Sequence, residues 1–436
     1  MWCETMRIQS SKEFKENELD KLLKRGKADL SSVITTVRTI IDDAKKEGDR
    51  ALLRYTEKFD KVRLSASEIK VTEKEVKEAY ERLETKQITA LRKAANNIAC
   101  FHRKQLRAKW TMQITEGATV GQITRPLASV GVYAPGGRAS YPSSVLMCAI
   151  PAKMANVKKV VVCSPPRKNR EIDPALLVAA DIAGVSDFYK VGGAQAIAAM
   201  AYGTSTVPSV DKIVGPGNVY VTAAKLEVAR DVAIDVPAGP SEVLIIADEK
   251  ANASYIAADL LAQAEHDPLS ISILVTTSEK LASDVKNEIT KQRKPLSRNE
   301  IIKSALQTGG LIIITQDIEE ATEISNMIAP EHLQIQTKTP NEVLNKIQNA
   351  GAVFLGNYSP VPLGDYSSGL NHVLPTAGYA KIFSGLSTLD FVKTMNFLQC
   401  TKKGYKTLKE TAIILAKMEG LEAHAKAVSI REEKEK

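Results

Sequence analysis

The apolar positions change their period along the chain. In the first quarter they recur at helical spacing: Ile34, Val37, Ile40, Ile41 and Ala44 share one face, and Gly48 stops the run. Val76, Tyr80, Leu83, Leu91, Ala95 and Ile98 mark a second amphipathic stretch, which predicts helix from about 72 to 106. His102, between Phe101 and Arg103 near its end, reads as structural or surface. From Ala128 onward, short Val/Ile runs alternate with Ala-rich helical segments. Strands are expected at 130–133, 157–163, 188–191, 213–214 and 232–235, with helices at 143–156, 175–183, 194–201 and 219–229 between them. A second series places strands at 243–246, 272–275, 311–314, 333–335 and 352–355, with helices at 252–265, on both sides of Pro295, and at 319–328.

Such alternation buries a parallel sheet between helical layers. It predicts an α/β chain of two similar doubly wound, Rossmann-like domains with small helical N- and C-terminal appendages. The expected parts are an N-terminal helical segment 1–30, a discontinuous first α/β domain of 31–127 plus 238–378, a second α/β domain 128–237, and a helical tail 379–436 ending in a disordered run 431–436.

Composition narrows the class. Of 436 residues, 44% are apolar and 25% charged, as in soluble globular chains. No 18-residue run is apolar enough to span a bilayer. Glu4 and Arg7 stand where a signal peptide needs an apolar core, so a cytoplasmic location is expected, with the start at Met1 or Met6. Five cysteines without C-x-x-C spacing read as reduced thiols, and Cys148 and Cys163, in apolar runs with no neighbouring base, as core residues rather than nucleophiles. The formal charge of +8 is spread along the chain with no basic–aromatic cluster, which argues against nucleic acid and mildly favours an anionic ligand such as a dinucleotide. Only five histidines occur, at 102, 266, 332, 372 and 424, so imidazole chemistry has a short list to draw on.

Neither G-x-G-x-x-G nor G-x-x-x-x-G-K-[ST] occurs. Four other turns follow expected strands: Ala134-Pro135-Gly136-Gly137, Gly192-Gly193-Ala194-Gln195, Gly215-Pro216-Gly217-Asn218 and Pro237-Ala238-Gly239-Pro240-Ser241. All lie at C-terminal strand ends, the edge where open α/β sheets bind ligands and helix N-termini offer N–H groups to anions. One such turn is ordinarily a plain loop; four on one edge argue for a ligand cleft, with the Gln195 and Asn218 amides placed to hydrogen-bond a cofactor or its ribose.

Gln263 and His266 stand i, i+3 at the end of a helix that Pro268 terminates, so both can face one ion. Asp365 would add a carboxylate and His424 a second imidazole, a donor set that suits zinc. In Ala329-Pro330-Glu331-His332-Leu333, adjacent Glu and His enter a strand from a tight corner: His can take a proton near neutral pH and Glu can activate water. Read singly, each of these is as readily a surface pair or a capped turn, and His372 as readily turns its loop as holds a ligand.

Together, Tyr133-Ala134-Pro135-Gly136-Gly137, Gly192-Gly193-Ala194-Gln195, Gly215-Pro216-Gly217-Asn218, Gln263-x-x-His266, Pro330-Glu331-His332, the run from Asp365 to His372 and the run from Glu419 to His424 resemble the histidinol dehydrogenase family, in order and from about 34 to 431. The resemblance implies NAD-dependent, four-electron oxidation of L-histidinol to L-histidine through bound L-histidinal, the last step of histidine biosynthesis. It implies one Zn2+ per subunit on Gln263, His266, Asp365 and His424, which also face the substrate. Ser241, His332, His372 and Glu419 would complete the substrate site, and Tyr133, Gln195 and Asn218 would contact NAD. His332 would be the general base and Glu331 the group that activates water. It also implies a homodimer of intertwined subunits whose tails, with Glu419 and His424, complete the partner's site. The alternative is a zinc dehydrogenase on the same scaffold that oxidises another small diol or amino alcohol. The stretch before about Lys27 carries no family motif.

Overall fold

The computed structural model describes residues 6–25, 30–136, 140–236 and 239–433. Gly137, Pro237 and Ala238 of the expected turns lie outside the described residues, as do Met1 and the last three residues of the run 431–436. The strands, in chain order, are β1 (Arg7–Ser10), β2 (Trp110–Thr115), β3 (Ala118–Pro126), β4 (Ser129–Tyr133), β5 (Lys159–Cys163), β6 (Asp187–Tyr189), β7 (Lys212–Val214), β8 (Ala233–Ile234), β9 (Glu242–Ala247), β10 (Ile271–Thr276), β11 (Gly310–Ile314), β12 (His332–Gln336), β13 (Ala352–Leu355) and β14 (Val392–Cys400).

The larger of two compact units comprises Met1–Lys104 and Ala128–Phe391. It holds two parallel sheets, ordered β6-β5-β4-β7-β8 and β1-β11-β10-β9-β12-β13. Setting β1 aside, both are wound alike. The first strand is central, the next two run to one side, and the last two to the other. The winding therefore reverses between β4 and β7 in one sheet and between β9 and β12 in the other. These strands are legible because a parallel strand covered on both faces reads as an unbroken apolar run; every position of β9 is buried, Glu242 included. Side-chain caps set the helix starts: the Asn252 Oδ1 accepts the Ser254 N–H (2.9 Å) and the Asp317 Oδ1 accepts the Glu320 N–H (2.8 Å).

Several boundaries differ from expectation. The face of Val33, Val37, Ile40, Ile41 and Ala44 packs into one core with Val161, Cys163, Ile197 and Ile213. The helix Ser31–Glu47 thus serves the five-stranded sheet, not the domain to which 31–127 was allotted, because its stripe meets the helices Gly193–Tyr202 and Val219–Val228. The segment 1–30 is not helical throughout: β1 adds to the six-stranded sheet in parallel, Arg7 opposite Leu311, and four residues are too few to show a period. The stretch 72–106 is two helices, Glu73–Arg82 and Thr85–Arg103, because Glu84 and Gln87 form a capping box that starts the second.

The smaller unit comprises Gln105–Leu127 and Val392–Lys436. It is an antiparallel sheet, β14-β3-β2, with the helices Lys402–Met418 and Glu422–Glu433, tied by the Tyr405 hydroxyl donating to the Val428 carbonyl at 2.6 Å. The tail is therefore not purely helical, and this unit resumes at Val392 rather than at 379. The missed signal is the alternation of Trp110, Met112 and Ile114 with Thr111, Gln113 and Thr115.

Candidate active site

The described parts of three of the four expected turns, those after β4, β6 and β7, stand on one edge of the five-stranded sheet; the fourth includes Pro237 and Ala238, outside the described residues. Tyr133 ends β4, is buried, and its hydroxyl accepts the Gly193 N–H at 3.1 Å. Gln195, in the first turn of the helix Gly193–Tyr202, is buried with its Oε1 lacking a hydrogen-bond partner among the described residues. Asn218 caps the helix Val219–Val228: its Oδ1 accepts from the N–H groups of Tyr220 (3.0 Å) and Val221 (3.1 Å), which leaves the Nδ2 for a ligand. Gly215 has φ +115°, and a Cβ there would lie 2.2 Å from the Tyr133 carbonyl, so no side chain fits where the winding reverses.

Two residues that the sequence reading missed brace this turn. The Asp235 Oδ2 accepts the Gly215 N–H at 2.7 Å and the Lys225 Nζ donates to the Gly215 carbonyl at 3.1 Å, while Lys225 and Asp235 pair with each other, both buried. Lys225 stands in a largely apolar helix and its partner ten residues on lies beyond it, so no local spacing marks the pairing.

The expected acid–base pair, Glu331 and His332, lies at the opposite kind of edge, where β9 and β12 begin. The helix Ile318–Ile328 ends at Ala329, in the left-handed region (φ 52°), and Pro330 turns the chain into buried Glu331 and His332. The His332 Nδ1 lies 3.0 Å from the Glu242 carbonyl oxygen. That oxygen can only accept, so Nδ1 carries a proton, and whenever the ring is neutral its lone pair stands at Nε2. Nε2 is buried, has no hydrogen-bond partner among the described residues, and stands 3.6 Å from the Asp365 Oδ1. The Glu331 Oε2 accepts the Glu242 N–H at 2.8 Å and lies 3.5 Å from the His332 Nδ1. The backbone of Glu242 thus holds both residues. Burial pushes the Glu331 carboxyl well above the ordinary range, against the pull of His332. Burial opposes the imidazolium of His332, but the facing carboxylates of Glu331 and Asp365 outweigh it and raise its pKa.

Asp365, in the short helix Val361–Tyr366, is within electrostatic reach of His332, His372 and His266; burial alone would raise its carboxyl, and these imidazoles hold it below the usual value. The His372 Nδ1 is 3.1 Å from the Asp365 carbonyl and its Nε2 is 3.3 Å from the Ser144 Oγ, on the helix that follows the β4 turn. Half-buried Ser241 directly precedes β9. Gln263 is buried at the end of the helix Ala253–Ala264, its Nε2 without a hydrogen-bond partner among the described residues. His266 is exposed just beyond, its N–H bonded back to the Gln263 carbonyl at 3.3 Å. Among the described residues no three His, Cys, Asp or Glu side chains converge to hold an ion; of those types the expected set has only His266 and Asp365 in this unit. Glu419 and His424 are exposed residues of the smaller unit. The link 235–241 runs from the end of β8 to the start of β9, which joins the turn-bearing edge of one sheet to the strand starts of the other.

His102, unassigned by chemistry, is fully buried. Its Nε2 lies 3.3 Å from the Asn371 Nδ2, which also donates to the Met147 carbonyl at 2.8 Å, so His102 braces the residue before His372. Cys148 and Cys163 are buried and burial pushes both thiols up, as expected of inert core residues.

This arrangement has close counterparts. A family model described as histidinol dehydrogenase matches residues 23–432. The chain belongs to the histidinol dehydrogenase family. The histidinol dehydrogenase of Methanosarcina barkeri is 53% identical over 418 residues, 95% of each chain. That of Clostridium acetobutylicum is 50% identical over 416 residues, 95% of this chain and 96% of the other. The crystal structure of histidinol dehydrogenase from Elizabethkingia anophelis matches with a TM-score of 0.94 at 41% identity, over 99% of each chain. Membership makes this chain an oxidoreductase of histidine biosynthesis. No helix among the described residues is long and apolar enough to cross a membrane.

Proposed function

We propose that this chain oxidises L-histidinol to L-histidine with two NAD, through L-histidinal that stays bound. The observation that carries the reading is the buried, unpartnered His332 Nε2, whose tautomer the Glu242 carbonyl fixes, beside a Glu331 whose basicity burial raises. A base of that kind takes the proton of a bound hydroxyl as hydride leaves the same carbon.

The donor set fits zinc. The His266 imidazole, the Asp365 carboxylate and the Gln263 amide oxygen are nitrogen and oxygen donors of the kind zinc takes, and Asp365 faces several imidazoles. Gln263, His266 and Asp365 would hold the ion, with His424 from the smaller unit of a second copy. In the same reading Tyr133, Gln195 and Asn218 hold NAD. When bound, NAD supplies the hydride acceptor and zinc the positive charge that orients the substrate nitrogens.

The chain's own groups do the rest. Ser241 and His372, with Glu419 of a second copy, hold the substrate, Glu419 facing its cationic end. His332 Nε2 takes the carbinol proton in the first oxidation. Glu331 takes a proton from water as its oxygen adds to the aldehyde carbon. His332 then takes a hydroxyl proton of the hydrate in the second oxidation. Across both steps one alcohol, one water and two NAD become one carboxylate, two NADH and three protons. No cysteine takes part. A homodimer with shared sites and a cytoplasmic location complete the reading; the free thiols of Cys100, Cys148, Cys163 and Cys400 suit a reducing compartment.

The test is NADH formed per histidinol consumed, with and without a chelator. Two NADH, lost on chelation and restored by zinc, are expected. One NADH with free aldehyde released would overturn the two-step reading.

A further inference from the structure

The N-terminal stretch reaches the Glu331–His332 pair through one side chain, Arg25, near the start of the residues that the family model matches. Arg25 and Glu242 are both buried, their side chains 6% and 3% exposed. The guanidinium grips the carboxylate with two bonds, Nε to Oε1 at 2.7 Å and Nη2 to Oε2 at 2.8 Å. Nη2 also donates to the Ile328 carbonyl (2.9 Å), and Nη1 to the Leu22 carbonyl (2.9 Å). The Glu242 Oε1 takes a further bond from the Ala377 N–H at 2.9 Å. Arg25 therefore holds the carboxylate of the residue whose N–H binds Glu331 and whose carbonyl binds His332. It also holds the carbonyl of Ile328, three residues ahead of Glu331.

A second observation points the same way. Ala329 (φ 52°) and Ala377 (φ 56°) are left-handed residues with side chains, an unfavourable backbone state. Both adjoin this clamp: Ala329 follows Ile328, and Ala377 donates to Glu242. Such strain persists only where neighbours over-determine the backbone, and it gathers at sites that need fixed geometry. A planar fork can address the carboxylate and two carbonyls in set directions; an ammonium is a point charge and cannot.

We propose that Arg25 is a positioning residue for the reaction. Through Glu242 and Ile328 it sets the place of the Glu331 carboxyl and the direction of the His332 Nε2. The proposal rests on the reading of Glu331 and His332 as the acid–base pair.

Two variants test it. Arg25→Lys keeps the charge and loses the fork; Arg25→Met with Glu242→Gln removes both charges together, so neither strands a lone buried ion. On the zinc-loaded enzyme, kcat, both KM values, zinc per chain, thermal midpoint and the isotope effect from a deuterated carbinol carbon are measured. A loss of about 10- to 100-fold in kcat is expected, the scale seen when the partners of reacting groups are removed. Both KM values and the zinc content should stay level, and the isotope effect should grow. Arg7→Ala, which breaks the exposed Arg7–Glu18 pair of the same stretch, should leave all of these unchanged. Arg25→Lys carries the test even where the double variant does not fold. A folded Arg25→Lys with parental kcat, or a loss that tracks zinc content or KM, overturns the proposal. His332→Ala separates the failures: if it stays active, the acid–base reading falls and this proposal with it. If it is inactive beside fully active Arg25 variants, the role of Arg25 alone falls.

Discussion

Replacing Lys225 by Met keeps most of the side chain's volume and removes only the ammonium that pairs with Asp235. The two side chains are 8% and 4% exposed, so the stranded Asp235 carboxylate would keep, among the described residues, a single donor, the Gly215 N–H at 2.7 Å. Breaking one side of a buried pair costs about 3–5 kcal/mol, because a charge is left without compensation. That is a large part of a typical stability of about 5–15 kcal/mol. Adding Asp235→Asn removes the stranded charge and keeps an acceptor for the Gly215 N–H. What is lost then is mainly the bond from Lys225 to the Gly215 carbonyl, about 1–3 kcal/mol for an unsatisfied buried acceptor. The double variant should therefore be more stable than Lys225→Met alone, by about 2 kcal/mol. Urea unfolding at fixed protein concentration, with chelator and without NAD, reads this as a higher midpoint at equal slope. The same preparations, zinc-loaded, should show a raised KM for NAD, since the pair braces the turn Gly215–Asn218. A double variant less stable than the single one, or a single variant within about 1 kcal/mol of the parent, would refute the argument that a desolvated pair holds this turn.

His332→Ala should severely impair both oxidations, and near-normal alcohol oxidation by it would count against its role as base. Glu331→Gln should mainly slow hydration, so it should still oxidise pre-hydrated aldehyde, which NADH release on supplied histidinal measures; equal loss on both substrates would refute this. Asp259 is buried, accepts from the Nε2 groups of Gln334 (2.7 Å) and Gln336 (3.2 Å), and burial pushes its carboxyl from 3.8 to about 6. The folded chain thus binds this proton at higher pH than the unfolded chain, so the charged carboxylate costs stability above about pH 6, and the cost is relieved as pH falls toward about 4. Asp259→Asn, which does not titrate, should gain on the parent by about 2 kcal/mol as pH rises from about 4 to 7; urea midpoints that differ by the same amount at both ends would refute it.

The sheets were legible because their strands are apolar on both faces, and the helix Ser31–Glu47 because its stripe keeps one period. The sheet β14-β3-β2 was not drawn, although β2 alternates cleanly, because its apolar residues Trp110, Met112 and Ile114 sit among polar ones and never form a run. The candidate site residues were legible as motifs, but their arrangement was not. The rule that open α/β sheets bind ligands at C-terminal strand ends suits Tyr133 and Asn218 and misses the strand starts that hold Glu242 and His332. Pairs such as Arg25 with Glu242, or His102 with Asn371, are hundreds of residues apart and leave no local trace.

The two parallel sheets share a winding order, yet the candidate chemistry uses the C-terminal edge of one and the N-terminal edge of the other. A copied domain brings its binding edge along with it. Here the candidate edges differ, so the six-stranded sheet does not repeat the turn-bearing edge of the five-stranded one, and in sequence the stretch 235–241 passes from one to the other. The two edges are nonetheless not separate parts: His372 and Asn371 reach Ser144 and Met147 on the helix behind the β4 turn, so a redesign of that turn has to keep those contacts.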